Sequence, residues 1–333
     1  MKVLVTGGCG LIGKVSVDRL LGAGHAVRIL ELSTRSNRRI AGRWNGRCEV
    51  HWGDIRDPVA VAEALDAQDA VIHNAGLLPP ASERDPAMSR TVNVDGTRLL
   101  LDAMESSERQ PRLVFSSSVA LYGPRLSAEP PVTASLPVRP VDHYTTHKAA
   151  CEEMIRASRI PWTIFRIGVA LDPQTRDTSA AAFRTLFALS PDNRMEVVHA
   201  RDVARAQVHA LASDEAWGRI LLIGGGASCR IHQRDLLEAV WKAIAVRPLP
   251  ETCYGQAAFY TDWMDTDESQ RILRFQETTY EDYVDELCYR LRHVRRLIWP
   301  IRSLVRHHLT GYARDGRRMG WPPKSNGAHG GGD

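Results

Sequence analysis

The sequence predicts an α/β protein, a doubly wound parallel sheet followed by a smaller C-terminal region. Two observations carry this prediction. The chain opens on a strand, a glycine loop, a helix and a second strand. Strand-like and helical segments then alternate over the first 165 residues. A βαβ unit of this kind requires parallel strands, and its repetition builds one sheet with helices on both faces. The length of 333 residues and the 44% hydrophobic content are enough for one large α/β unit or about two domains.

The elements follow in order. Lys2–Thr6 is a β-branched run that ends at glycines, and a helical pattern covers 11–23 and stops at Gly24. Ala26–Glu31 is a second apolar run, closed by an acid. Further strands are predicted at Ala70–His73, 112–116 and Trp162–Ile167, with helices between them. Beyond these, Arg219–Ile223 reads as a strand, and 234–245 and 278–291 read as helices. Proline and glycine cluster at 123–140, which predicts a long ordered loop ahead of Tyr144. Residues 322–333 are polar and glycine-rich and are expected to be disordered.

The net charge is +4, but it is unevenly spread. Residues 291–333 hold nine Lys/Arg against two Asp/Glu, whereas 1–290 hold 34 against 37. The body is slightly acidic and the tail strongly basic. No apolar run approaches the roughly 20 residues that span a bilayer. Met1 and Lys2 run directly into a strand, with no export signal read there. The six cysteines are scattered without a CxxC pair, which argues for reduced thiols and against a zinc site. A cytoplasmic location is expected. The basic run lies in no recognisable nucleic-acid-binding module, so no nucleic-acid partner is expected.

The loop between the first strand and helix reads Thr6-Gly-Gly-Cys-Gly-Leu-Ile-Gly13. Gly7 permits the tight turn, Gly10 lets backbone amides approach a pyrophosphate, and Gly13 lets the helix sit close to the sheet. Leu11 and Ile12 open the helix, whose N-terminus favours an anion. This is the context of a Rossmann-type nucleotide site. Glu31, at the end of the second strand, can accept hydrogen bonds from ribose hydroxyls and repels a 2′-phosphate. NAD is the expected cofactor. Arg35, Arg38 and Arg39 follow closely and keep NADP as the alternative.

A second group is Tyr144-Thr-Thr-His-Lys148, in which Tyr and Lys at i and i+4 share a helix face. Free tyrosine, with a pKa near ~10, is a poor base. A neighbouring ammonium favours the phenolate, so Tyr144 is the candidate general acid/base and Lys148 its activator and ribose anchor. Upstream, an apolar strand ends in Ser116-Ser-Ser118, placing hydroxyls at the C-terminal edge of the sheet. Ser118 is the candidate holder of a substrate oxygen.

These motifs resemble those of the extended short-chain dehydrogenases/reductases, of the NAD-dependent epimerase/dehydratase type. The resemblance covers roughly residues 1–290. It includes Gly53-Asp54-Ile55-Arg56-Asp57, with Asp54 and Ile55 placed against adenine, and Val71-Ile-His-Asn-Ala-Gly76, with Asn74 and Ala75 lining the cofactor. Asn93-Val-Asp-Gly-Thr97 and Val198-His-Ala-Arg-Asp-Val-Ala204 complete it, and Asn93 joins the expected cofactor residues. The resemblance implies Ser118, Tyr144 and Lys148 as the catalytic set, no metal, and a homodimer built through helices beside the Tyr/Lys helix.

The sequence departs from the nucleotide-sugar branch at Arg166-Ile-Gly-Val169, where that branch carries Arg-x-x-Asn to bind substrate. Ser116, Ser117 and Val119 stand where dehydratases have acids. Asp202 reads as a structural partner, and His147 as lying on a different helix face from the catalytic pair. The segment 77–81 is a candidate pocket wall. Phe183, Phe187, Met195, Phe259, Tyr260 and Trp263 fall in the expected substrate region, where aromatics are more often core than pocket.

The expected organisation is a nucleotide-binding domain at 1–165 that also takes in about 196–225, a substrate-binding region at 166–195 and 226–290, and the tail. The leading function is an NAD(P)-dependent oxidoreductase interconverting a secondary alcohol and a ketone of a small-molecule substrate. An NAD-retaining sugar epimerase and a non-catalytic nucleotide sensor are the alternatives. In the tail, apolar residues at 294, 297, 298, 301, 304 and 305 fill one helical face opposite Arg295, Arg296, Arg302 and Arg306, and Pro300 should kink or divide the helix. Such a segment suits its own domain, a partner or a peripheral membrane contact across 291–310.

Overall fold

The computed structural model describes residues 1–173 and 187–319. Phe183 and the expected disorder of 322–333 lie outside the described residues. Seven parallel strands form the main sheet: β1 (Lys2–Thr6), β2 (Ala26–Glu31), β3 (Cys48–Trp52), β4 (Ala70–His73), β5 (Arg112–Ser118), β6 (Trp162–Ile167) and β9 (Arg219–Ile223). Their order is β3-β2-β1-β4-β5-β6-β9. The chain winds outward one way through β2 and β3 and the other way from β4, so a crevice opens beyond the ends of β1 and β4.

Alternate residues of each strand feed opposite cores. Val3, Val5, Ile72, Val114 and Phe165 pack on one face with α1 (Leu11–Gly22) and α8 (Ala200–Ala212). Leu4, Val71, Leu113, Phe115 and Ile164 pack on the other with α3 (Pro58–Leu65), α6 (Gly96–Ser106) and α7 (His143–Ala157). Each such side chain contributes about 1.5–3 kcal/mol by leaving water. Burial on both faces makes these strands continuous apolar runs and so readable in sequence.

β3 escaped the sequence reading because it is the sheet edge. Cys48-Glu-Val-His-Trp52 carries polar residues and keeps its place through backbone pairing with β2. Three further short strands, β7 (Val169–Leu171), β8 (Arg194–His199) and β10 (Arg230–His232), form a separate sheet with β8 in the middle. Its partners are distant in sequence, and no local pattern marks it.

The C-terminal part holds α9 (Gln233–Ile244), α10 (Asp267–Leu273), α11 (Tyr280–Ile298) and α12 (Arg302–Met319). α11 runs past 291, so body and tail share one helix. The chain divides at Trp299-Pro300-Ile301, as Pro300 predicts. The tail is not a bare appendage. Leu309 and Ala313 are buried with Leu237, Trp241 and Phe187, and Ile298 and Val305 pack against that cluster. No described helix is long and apolar enough to cross a membrane.

His73, at the end of β4, bonds Thr6 Oγ1 at 2.6 Å and Thr97 Oγ1 at 3.0 Å. Burial, with Lys148 nearby, pushes its pKa down to about 3. The imidazole stays neutral when folded and charges more easily when unfolded. Its stabilisation is therefore full above the ordinary histidine pKa and is lost as pH falls toward 3. Urea denaturation should show a loss of about 2 kcal/mol from this group between pH 7 and pH 5, absent in His73→Gln.

Candidate active site

A cleft of about 700 Å³ lies in the crevice above β1 and β4. Gly7 turns the chain there with φ +66°, and a Cβ on it would stand 2.7 Å from the Ala75 amide nitrogen. A Cβ on Gly13 would stand 2.1 Å from the Gly7 carbonyl oxygen. Both positions therefore require glycine. α1 begins after Gly10, with no side-chain cap and no acid in its first turn. Its amide donors thus meet the cleft without a competing acceptor, and Gly10, Leu11 and Ile12 line it.

Glu31 lines the same cleft. Its carboxylate accepts from the Cys9 amide at 3.0 Å, the Leu32 amide at 3.1 Å and Asn37 Nδ2 at 3.0 Å. Arg35, Arg38 and Arg39 are not among the lining residues. Arg38 instead sits over the Trp52 ring, 5.2 Å from its centroid. An acid lines the cleft and none of these three arginines does, so the residues present fit NAD.

Asp54 and Ile55 also line the cleft. Asp54 pairs with Arg56 at 2.6 Å, and that hydrogen bond holds its carboxyl below the usual range. Asn74 and Ala75 line it as well. Asn74 Oδ1 accepts from Ser116 Oγ at 2.6 Å and from Gln207 Nε2 at 2.8 Å, while its buried Nδ2 lacks a protein partner. Asn93, expected at the cofactor, stands behind the cleft instead. It accepts from the Leu77 amide at 2.7 Å and donates to the Leu77 carbonyl at 2.9 Å, so it fixes the loop that forms the wall.

Ser118, Tyr144 and Lys148 all line this cleft. Ser118 closes β5, and its Oγ accepts from the Ala120 amide at 3.1 Å. Tyr144 and Lys148 lie one turn apart on α7. A capping box of Asp142 and Thr145 fixes the start of that helix. Glu83 reinforces it, its carboxylate accepting from the His143 amide at 3.3 Å and the Tyr144 amide at 3.1 Å. Burial pushes the Tyr144 phenol up to about 12, against the pull of a side-chain hydrogen bond with Ser118. The lowering expected from Lys148 does not prevail. Its ammonium donates to the Ser116 carbonyl at 2.7 Å and lies 4.5 Å from the Phe115 ring centroid.

Arg166 is not free to hold a substrate. It is buried, pairs with Glu152 of α7 at 2.7 Å and donates to Tyr122 Oη at 2.7 Å. Asp202 pairs with Arg205 at 2.6 Å and accepts from the Thr278 amide at 2.9 Å, a structural role. His147 faces Ser89, 3.2 Å away, and does not line the cleft. Phe187, Met195, Phe259, Tyr260 and Trp263 do not line it either. Phe187 stacks on Trp241 in the core. Within 77–81, Leu77 and Leu78 do line the cleft, as do Met88, Val92 and Gly168, which were not anticipated. Gln207 was also missed. It links Ser16, Asn74 and Ser116 from α8, and its one sequence signal is a polar residue on the buried face of a helix.

Residues 3–224 match the model of the NAD dependent epimerase/dehydratase family. A D-erythronate dehydrogenase of Cupriavidus necator is 33% identical over 162 residues, 46% of this chain and 49% of that protein. A UDP-glucose 4-epimerase of Oryza sativa subsp. japonica is 36% identical over 164 residues, 46% of this chain and 44% of that protein. The chain thus spans about half the length of these curated relatives. Among solved structures, a short-chain dehydrogenase/reductase superfamily protein of Agrobacterium tumefaciens, crystallised with bound NAD, superposes with a TM-score of 0.72. That match has 23% identity and covers 91% of this chain and all of the other. The glycine loop, the acid closing β2 and the family match over two thirds of the sequence agree: the chain belongs to the NAD dependent epimerase/dehydratase family of extended short-chain dehydrogenases/reductases.

Proposed function

We propose that the protein is an NAD-dependent oxidoreductase that interconverts a secondary alcohol and a ketone on a small, sugar-like substrate. The observation that carries this reading is that Ser118, Tyr144 and Lys148 line the same cleft as the glycine loop and Glu31. Gly7, Gly10, Gly13, Glu31, Asp54, Ile55, Asn74 and Ala75 would hold the dinucleotide. Bound NAD supplies a hydride acceptor or donor and, when oxidised, a positive charge. Tyr144 exchanges a proton between its phenol oxygen and the substrate oxygen. Ser118 holds that oxygen through its hydroxyl, and Lys148 anchors the nicotinamide ribose and adds positive charge near the phenolate. Residues 1–165 with 196–225 hold the cofactor, and 166–195 with 226–290 receive the substrate. We place the protein in the cytoplasm as a homodimer built through helices beside α7, the Tyr/Lys helix.

The test is a turnover screen of sugar acids and sugar alcohols, read by NADH absorbance. Net NADH formation supports the dehydrogenase reading. Tightly retained NAD with product isomerisation and no net NADH would replace it by an epimerase, the activity named for the Oryza relative. Arg166, closed off by Glu152, and Val169 in place of an amide favour the dehydrogenase.

Glu31→Ala should weaken NAD binding by about tenfold or more, since hydrogen bonds to a carboxylate are worth roughly 1.5–3 kcal/mol. Isothermal titration with NAD and NADP checks this, with NADP binding expected to be unharmed or improved.

A further inference from the structure

Among the described residues of the tail, some apolar side chains are covered and others are not. Ile298, Val305, Leu309 and Ala313 turn inward onto the cluster of Leu237 and Trp241. Leu297, Trp299, Ile301 and Leu304 turn outward and are 75%, 58%, 50% and 67% exposed. Trp299-Pro300-Ile301 joins α11 to α12, and these four exposed residues fall within the eight residues 297–304 that make this corner of the chain. Large apolar side chains grouped this way on the outside of a protein mark an interaction surface.

Charge identifies what that surface meets. Residues 287–314 contain seven arginines and no aspartate or glutamate. Arg292, Arg295, Arg296 and Arg302 are exposed. Among the described residues, Arg295 and Arg296 form no ion pair. Arg302 lies over the exposed Trp299 ring, 4.6 Å from its centroid, and Arg292 lies 4.0 Å from that of Tyr289. Indole and phenol rings favour the boundary between headgroups and hydrocarbon, and arginines favour anionic headgroups. A second copy of this chain docking corner to corner would set arginines against arginines.

We propose that this corner seats the protein on an anionic phospholipid surface, with Leu297, Trp299, Ile301 and Leu304 entering the interface and Arg292, Arg295, Arg296 and Arg302 binding headgroups. The catalytic cleft shares no residue with this corner, so docking leaves Tyr144 and Lys148 untouched.

The test is co-sedimentation of the full-length protein with vesicles of phosphatidylcholine alone or mixed with phosphatidylglycerol. The protein should pellet with the mixed vesicles, release at high salt, and leave the neutral ones alone. Leu297→Ser/Leu304→Ser and Arg295→Glu/Arg296→Glu should each weaken binding by about tenfold or more, with thermal unfolding and NAD binding unchanged. Failure to pellet, equal pelleting with both vesicles, or binding unchanged in both variants overturns the proposal. A dimer in sedimentation velocity that Leu297→Ser/Leu304→Ser dissolves would overturn it in favour of self-association.

Discussion

Replacing Tyr144 by Phe should lower kcat by about 10²–10⁴-fold, the usual worth of a positioned general acid/base. The substitution removes one oxygen and leaves the ring in its buried place. Fold and NAD affinity should therefore hold, and the loss should fall on kcat rather than on KM. The phenol also carries a pH signature. Only the phenolate accepts a proton from an alcohol, so alcohol oxidation should accelerate as pH rises. Burial, opposed by the Ser118 hydrogen bond, pushes the Tyr144 phenol up to about 12. Positive charge from oxidised nicotinamide, added to Lys148, moves that ionisation down. Phenolate absorbance should then appear at lower pH when oxidised NAD is added to the wild type, and not when it is added to Tyr144→Phe. A variant with undiminished turnover, or a titration indifferent to NAD, would remove Tyr144 from the mechanism.

The largest stability effect is expected at Arg166. Its guanidinium joins Glu152 of α7 to β6, Tyr122 and the Ala134 carbonyl. Glu152 also accepts from Ser117 Oγ at 2.5 Å. Arg166→Leu leaves a buried carboxylate without its counter-charge, which costs about 3–5 kcal/mol. The double variant Arg166→Leu/Glu152→Leu should recover a large part of that, because the stranded charge disappears with its partner. Urea denaturation of both variants measures the difference. Glu152 lies one helical turn beyond Lys148, so the single variant should also disturb the seating of Lys148 and lower kcat. If the double variant is the less stable of the two, the pair's net attraction outweighs the cost of burying it.

Much of the site is written locally. The glycine spacing from Gly7 to Gly13, the acid at Glu31 and the i, i+4 pair of Tyr144 and Lys148 each follow from short-range geometry, and each stands in the cleft. Asn93 shows the limit of this approach. A motif places it near the cofactor loop, but only packing tells that its amide is used up on Leu77. Arg166 is a similar case, a charged residue in a strand whose partner comes from a helix. Glu83 and Gln207 carry no motif, because each acts on groups far away in sequence.

The sequence by itself determined the α/β class, the central strands and the family, because strands buried on both faces and glycine turns leave unmistakable local patterns. Only the tertiary structure decided the edge strand β3, the second sheet, the engagement of Arg166 and the division of the tail's apolar residues. Those features depend on which distant surfaces meet. A helical pattern can show that a face is apolar, but burial against α9 is what turns Leu309 inward and leaves Leu304 outside.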